Sequence, residues 1–242
     1  TGVSAITLEL TETGAHNRIV VCPGANGAMT MEEISWIRDE VKNYDLVMLQ
    51  FELPMSINEA VARWAHDAGV PVMVNPAPAA PVSPELYRCA AFFSPNEHEA
   101  AAMSGHPIRV DENGANEDDL RAVAEIFREK GVQNLIVTLG GNGSVAVGKD
   151  GVEHVACVKM PVVADTTAAG DSFVAAFCTG LCAGLPQRQA LAFASHAAAI
   201  TVSRPGAGPS LPTLAEVTAL LRERGYEDMD YDLLARLAES KA

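Results

Sequence analysis

Leu46-Val47-Met48-Leu49-Gln50-Phe51 is a short apolar run, and Pro71-Val72-Met73-Val74 is another. Between them lie Ser56 and Glu59, spaced as a capping box, and Gly69, placed to close the helix that such a box opens. The stretch therefore predicts strand, helix, strand, with strands too apolar to keep a solvent-facing side. The same unit repeats downstream. Ser83-Pro84 opens a short helix with proline at its first position, Ala90–Phe93 reads as a strand, and Asn96 starts another helix. Asn116 caps a helix with Leu120, Val123, Ile126 and Phe127 on one face, Gly131 ends it, and Leu135–Leu139 is again a buried strand.

Further along, 144–147 and 154–158 predict a hairpin around Asp150-Gly151. Two apolar helices are predicted at 172–183 and 187–202, and a last amphipathic one near 214–224. The polar stretch 111–119 reads as a surface loop. Upstream, Thr30 and Glu33 form a second capping box before Ile34, Ile37 and Val41, and 1–10 and 18–22 read as strands joined through Thr13-Gly14. Alternating strands and helices predict an α/β fold, a three-layer α-β-α sandwich around a mostly parallel sheet, with residues 1–242 as one domain.

Composition narrows the function. The net charge of −14 argues against nucleic acid as a partner. It leaves room for a nucleotide, because backbone N–H groups, a helix N-terminus or a metal ion can hold phosphates. No run approaches the ~20 apolar residues of a membrane span, and no signal peptide is visible. The chain starts at Thr1 and is read as a fragment or a processed start. Cys178 and Cys182, four apart, read as small buried hydrophobes, and the five cysteines without CxxC fit a reducing cytoplasm.

In parallel sheets, ligands gather beyond the carboxyl ends of the strands. Glu52, Asn75, Asn96 with Glu99, and Thr138 with Gly140 follow four successive predicted strands. Each alone is an ordinary turn or cap residue; together they predict a shared cleft. The strongest motif is Asp165-Thr166-Thr167-Ala168-Ala169-Gly170-Asp171, just before a helix whose face is Phe173, Phe177 and Leu181. Small residues at 168–170 let the backbone approach a ligand, and their N–H groups sit at the positive end of the helix. Such a turn can stabilise charge on a phosphoryl group in transfer, with Asp171 in reach of the attacking hydroxyl. The plain alternative, a helix start with an early Asp, fits these residues equally well. Two other motifs do not hold. Gly143–Lys149 spells most of a P-loop, but Asp150 stands where Ser or Thr should follow. Gly24-Ala25-Asn26-Gly27 does not spell a dinucleotide fingerprint. The six histidines show no metal-binding spacing.

At residues 165–171 the chain resembles the ribokinase-like sugar kinases, the PfkB family, whose hallmark is D-T-x-G-A-G-D. Ala168 stands where Gly is commoner, as it does in the family's ribose kinases. The resemblance extends through Gly24-Ala25-Asn26, 49–54 (LQFELP), 75–79 (NPAPA), 94–100 (SPNEHEA), 138–143 (TLGGNG) and 203–210 (SRPGAGPS). It implies ATP-dependent phosphorylation of a sugar hydroxyl, D-ribose giving D-ribose 5-phosphate, in the cytoplasm. Another sugar or nucleoside, or a non-catalytic nucleotide-binding remnant, remains the alternative. By position, it implies Asp171 as catalytic base, also touching substrate, with Ala168, Ala169 and Gly170 forming an anion hole together with the Asp171 amide. Asn96 and Glu99 match an N-x-x-E motif that places magnesium and phosphate through water. Thr138, Gly140, Gly141, Asn142, Gly143, Gly170 and Ser195 would line ATP, Ser195 at the adenine with His196 as a weaker substitute. Glu52 would bind the sugar. Asp165, Thr167, Thr201, Arg204, Gly206 and Ser210 would hold potassium, largely through carbonyls. Members of the family carry a further N-terminal part with sheet strands, a lid, a sugar-binding Asp and a G-G-x-G-x-N motif. These 242 residues contain none of those, which puts in doubt the sugar affinity and lid-mediated homodimer expected of the complete protein.

Overall fold

A computed structural model of the chain describes residues 1–11, 14–111, 114–148 and 151–239. They divide into two compact units, Thr1–Ser4 with Val21–His154, and Ala5–Val20 with Val155–Ala242. The chain opens with strands β1 (Val3–Thr11) and β2 (Gly14–Cys22), paired as a two-stranded sheet. Thr13 of the expected turn lies outside the described residues.

In the first unit follow α1 (Ile37–Glu40), β3 (Val47–Gln50), α2 (Met55–Asp67), β4 (Val72–Asn75), α3 (Pro84–Cys89), β5 (Ala90–Phe93) and α4 (Glu97–Ser104). Then come β6 (Val110–Asp111), β7 (Gly114–Ala115), α5 (Glu117–Glu129), β8 (Asn134–Thr138), β9 (Ser144–Gly148) and β10 (Gly151–Val155). Six strands form one sheet in the order β10-β9-β8-β5-β4-β3. β3, β4, β5 and β8 run parallel, with Gln50 opposite Asn75, Val74 opposite Phe93 and Phe93 opposite Leu135; β9 runs antiparallel to β8. Four carboxyl ends therefore share one edge, as the sequence predicts. Val72, Val74, Phe93, Leu135 and Val137 join Ile57, Val61, Leu86, Tyr87, Leu120, Val123 and Phe127 from the helices in one core. The rings of Tyr87, Phe93 and Phe127 meet with centroids 5.2–6.1 Å apart. The alternate residues Met73, Ile136 and Ala146 are buried as well, which is why these strands read as unbroken apolar runs.

Local chemistry sets the helix ends. Ser83 Oγ accepts the Leu86 N–H ahead of Pro84, and Asn116 Oδ1 accepts that of Asp119. Several expectations need correction. The Ser56–Glu59 box does not form, because α2 starts at Met55, right after Pro54, and takes Ser56 into its first turn. The Thr30–Glu33 box does form, but turns follow it and only α1 is regular. The stretch 111–119 is no plain loop: β6 and β7 pair within it and α5 begins at Glu117. The second hairpin strand starts at Gly151 rather than at 154, and Asp150 lies outside the described residues.

The second unit holds α6 (Ala169–Ala183), α7 (Gln187–Val202), α8 (Leu214–Glu223) and α9 (Tyr231–Glu239). Phe173, Val174 and Phe177 of α6 and Ala190, Leu191, Ala194 and Ala197 of α7 are buried. A Cβ at Gly180 would lie 3.3 Å from that of Ala190, so glycine allows the two helices to approach. Cys178 is buried, and burial pushes its thiol up to about 12; Cys182, expected to be buried with it, is exposed. No helix among the described residues is long and apolar enough to cross a membrane. The sequence reading missed α9.

Candidate active site

The shared carboxyl edge is cross-linked by its own polar residues. Gln50 Nε2 donates to Asn75 Oδ1 at 3.1 Å, and Asn75 Nδ2 donates to the Ser94 carbonyl at 2.7 Å. Asn75 is buried and ties β3, β4 and β5 together. Glu52, two residues past β3, is exposed. Asn96 caps α4, its Oδ1 accepting the N–H groups of His98 and Glu99 at 2.9 and 2.8 Å. Glu99 Oε2 returns to the Asn96 N–H at 2.9 Å, completing a capping box that the sequence reading did not note. Asn96 also bridges in parallel to Thr138, whose N–H donates to the Pro95 carbonyl. Beyond Thr138 the chain makes a tight turn at Gly140–Asn142, with Gly140 at φ 52° and Gly143 at φ 88°. An added Cβ at Gly141 would meet nothing within 4 Å, so this face is open to a ligand.

Burial pushes the Glu99 carboxyl above its ordinary range, against the hydrogen bond from Asn96 that favours its charge. A raised carboxylate contributes stability below its unfolded pKa and loses it as pH rises through the folded value. Glu99→Gln keeps a cap-competent side chain without the charge. It is expected to raise the melting temperature near pH 7.5 without divalent cations, and to match the parent near pH 4. A variant that melts lower at both pH values contradicts this.

In the second unit, residues 165–171 build a second feature. Asp165 is buried; its Oδ1 accepts the Thr167 N–H at 2.9 Å and its Oδ2 the Gly206 N–H at 3.0 Å. Hydrogen bonds from Thr167 and from the Gly206 backbone hold its carboxyl below the ordinary range. No salt bridge reaches Asp165 among the described residues. The Val202 carbonyl takes the N–H groups of Ala164 and Asp165 at 2.8 and 3.3 Å. The segment 164–167 is thereby pinned to the end of α7. Ala168 then turns at φ 61°, ψ 10°, the only non-glycine positive φ among the described residues. An alanine there costs roughly 1–2 kcal/mol. The turn starts α6 at once, so Ala169, Gly170 and Asp171 fill its first turn, whose N–H groups have no intrahelical acceptor. Asp171 is exposed.

The remaining candidates lie on α7 and in the segment that follows it. Thr201 and Ser210 are fully buried, Ser210 Oγ donating to the Ala207 carbonyl at 2.6 Å. The Arg204 side chain pairs with Glu216, whose carboxyl that contact lowers to about 2, so only the Arg204 carbonyl is left for a cation. Ser195 is buried on α7. His196 beside it is buried too, bonded through Nδ1 to the Ala192 carbonyl at 2.8 Å and edge-on to Tyr226. Its environment gives it a packing role. Among the described residues no three acidic, His or Cys groups gather as a metal cage.

The family model for pfkB family carbohydrate kinases matches residues 3–214. The chain belongs to the pfkB family. This pfkB-family chain is 36% identical to a ribokinase of Schizosaccharomyces pombe over 90% of its own length and 66% of that protein's. With a ribokinase of Haemophilus influenzae it shares 33% identity over 86% of its length and 65% of the relative's. The chain thus spans slightly less than two thirds of these relatives. A solved ribokinase of Arabidopsis thaliana, complexed with ribose and ATP, superimposes with a TM-score of 0.79 at 32% identity, covering 92% of this chain and 69% of that one. The expected ribokinase-like α/β class is therefore shown.

Proposed function

We propose that this pfkB-family chain forms the larger part of a kinase that transfers the γ-phosphate of ATP to a hydroxyl of D-ribose. The observation that carries the proposal is the start of α6. There an exposed Asp171 stands in the first turn, behind a left-handed Ala168 and a loop fixed by buried Asp165. The N–H groups of Gly170 and Asp171 suit the equatorial oxygens of a phosphoryl group in flight, where roughly half a positive charge resides, and that of Ala169 joins them on leaving its 3.3 Å bond to the Thr166 carbonyl. Asp171 takes the proton of the sugar hydroxyl as that oxygen bonds to phosphorus. The open turn at 140–143, with Thr138 and Asn96, takes the nucleotide, Ser195 the adenine, and Glu52 the sugar.

Magnesium fits Glu99 through water. A half-buried carboxylate with a raised pKa gains from a nearby cation, and magnesium commonly keeps its waters and binds through substrate phosphates. When bound, it neutralises charge on the phosphates. Potassium fits beside Asp165, a buried carboxylate that no salt bridge reaches among the described residues, with carbonyls of the 201–210 segment as its further proposed ligands. The complete polypeptide is proposed to work as a cytoplasmic homodimer.

Two experiments test this reading. In a panel of sugars and nucleosides offered to the full natural polypeptide with ATP and magnesium, D-ribose is expected to give the highest kcat/KM. A nucleoside at the top of the panel contradicts the substrate assignment. The rate should also rise when potassium replaces sodium or a bulky organic cation, and equal rates in all three salts contradict the cation site.

A further inference from the structure

We infer that Ser172 is a positioning residue for Asp171, acting through the hydroxyl of Thr201. The inference rests on the role proposed above for Asp171. Ser172 follows Asp171 in the first turns of α6, yet the two differ in exposure: Asp171 is exposed and Ser172 is 5% exposed. Inside, Ser172 Oγ meets Thr201 Oγ1 at 2.9 Å, and Thr201, fully buried near the end of α7, also donates to the Ala197 carbonyl at 3.1 Å. The residue after Thr201 is Val202, whose carbonyl holds Ala164 and Asp165. Gly206, four residues further, holds the other side of Asp165. One short segment, 201–206, therefore grips both sides of the left-handed turn. It holds the loop before Ala168 through Val202 and Gly206, and the helix after it through the Ser172–Thr201 contact. The first turn of α6 also carries local bonds, Ser172 N–H to the Ala168 carbonyl at 2.9 Å, Ser172 Oγ to the Ala169 carbonyl at 3.5 Å and Ala169 N–H to the Thr166 carbonyl at 3.3 Å, but the Ser172–Thr201 contact ties it to α7. Small displacements of a proton-accepting group lower the rate of transfer more than they lower ground-state binding.

The substitutions are mild by construction. Ser172→Ala leaves Thr201 its bond to Ala197, and Thr201→Val keeps the shape and the carbonyl at 201. In the full natural polypeptide each is expected to lower kcat about tenfold, with KM for ATP and sugar within about twofold and potassium activation retained. The double variant is expected to lose no more than Thr201→Val alone, because both substitutions remove the same Ser172–Thr201 contact and only Thr201→Val also removes the bond to Ala197. Ser172→Thr, which restores a hydroxyl, is expected to recover most of kcat. The inference is overturned by an unchanged kcat in Ser172→Ala, by a loss that only tracks the folded fraction, or by multiplicative losses in the double variant. An Asp171→Asn variant run alongside separates the two claims. If it stays active, the base assignment fails; if it is inactive while Ser172→Ala is normal, only the positioning role fails.

Discussion

Asp171→Asn is expected to lower kcat by about 10²–10⁴-fold, equivalent to about 3–5 kcal/mol of barrier, with ATP affinity nearly unchanged. A sugar hydroxyl is a poor nucleophile while it keeps its proton. Its acidity rises only as bonding to phosphorus develops, and a carboxylate must be in place at that moment. Asparagine keeps the size and most of the hydrogen bonding but cannot accept the proton. The turn at Ala168 and the backbone N–H groups of 169–171 do not depend on the side chain at 171, so the phosphate site proposed there should persist. Calorimetric ATP titration beside steady-state rates checks both halves. Loss of ATP binding together with turnover would assign Asp171 a structural role at the helix start instead.

The second large effect is expected at Asp165. Its carboxylate accepts two backbone N–H groups, one from Thr167, two residues on, and one from Gly206, 41 residues on. Hydrogen bonds to a charged group contribute about 1.5–3 kcal/mol each, and unpaired buried donors cost more again. Asp165→Ala is therefore expected to destabilise the second unit by about 3 kcal/mol, to reduce kcat, and to abolish the response to potassium. The lowered Asp165 pKa fixes the sign with acid: its contribution is complete above the unfolded pKa of about 3.9 and is lost as pH falls through the lower folded value. Thermal melts between pH 2 and pH 7 should show a shallower acid-side fall in the variant than in the parent. Parallel curves with equal melting temperatures would contradict this.

What could be read from the sequence was what local chemistry decides. Asn96, Asn116 and Ser83-Pro84 mark helix starts because their side chains bond backbone groups two or three residues on. The strand β5 was legible to the residue, since Ala90–Phe93 is bounded by a helix end and by Ser94-Pro95. Where competing local signals met, the reading failed. Ser56 and Glu59 have the spacing of a box, but Pro54 launches the helix sooner. The helix α9 was legible in principle, from Asp230, whose Oδ1 accepts the Leu233 N–H, and from buried Leu234. Its few apolar positions gave too short a pattern to stand out. Contacts between distant residues were not legible. Asp119, inside the stretch read as a loop, is bound by Arg109 through two side-chain bonds and its N–H. Ser172 and Thr201, 29 residues apart, carry nothing in their flanks that announces their bond.

The most direct test follows the phosphate itself. The full natural polypeptide, supplied with ATP, magnesium, potassium and D-ribose, can be monitored by phosphorus NMR as ATP is consumed. The expected result is a new phosphomonoester signal matching D-ribose 5-phosphate, formed in equal amount with ADP and absent when ribose is withheld. ATP consumed at the same rate without ribose, or a nucleotide that binds while no sugar is ever phosphorylated, would contradict the assignment of this chain to sugar phosphorylation.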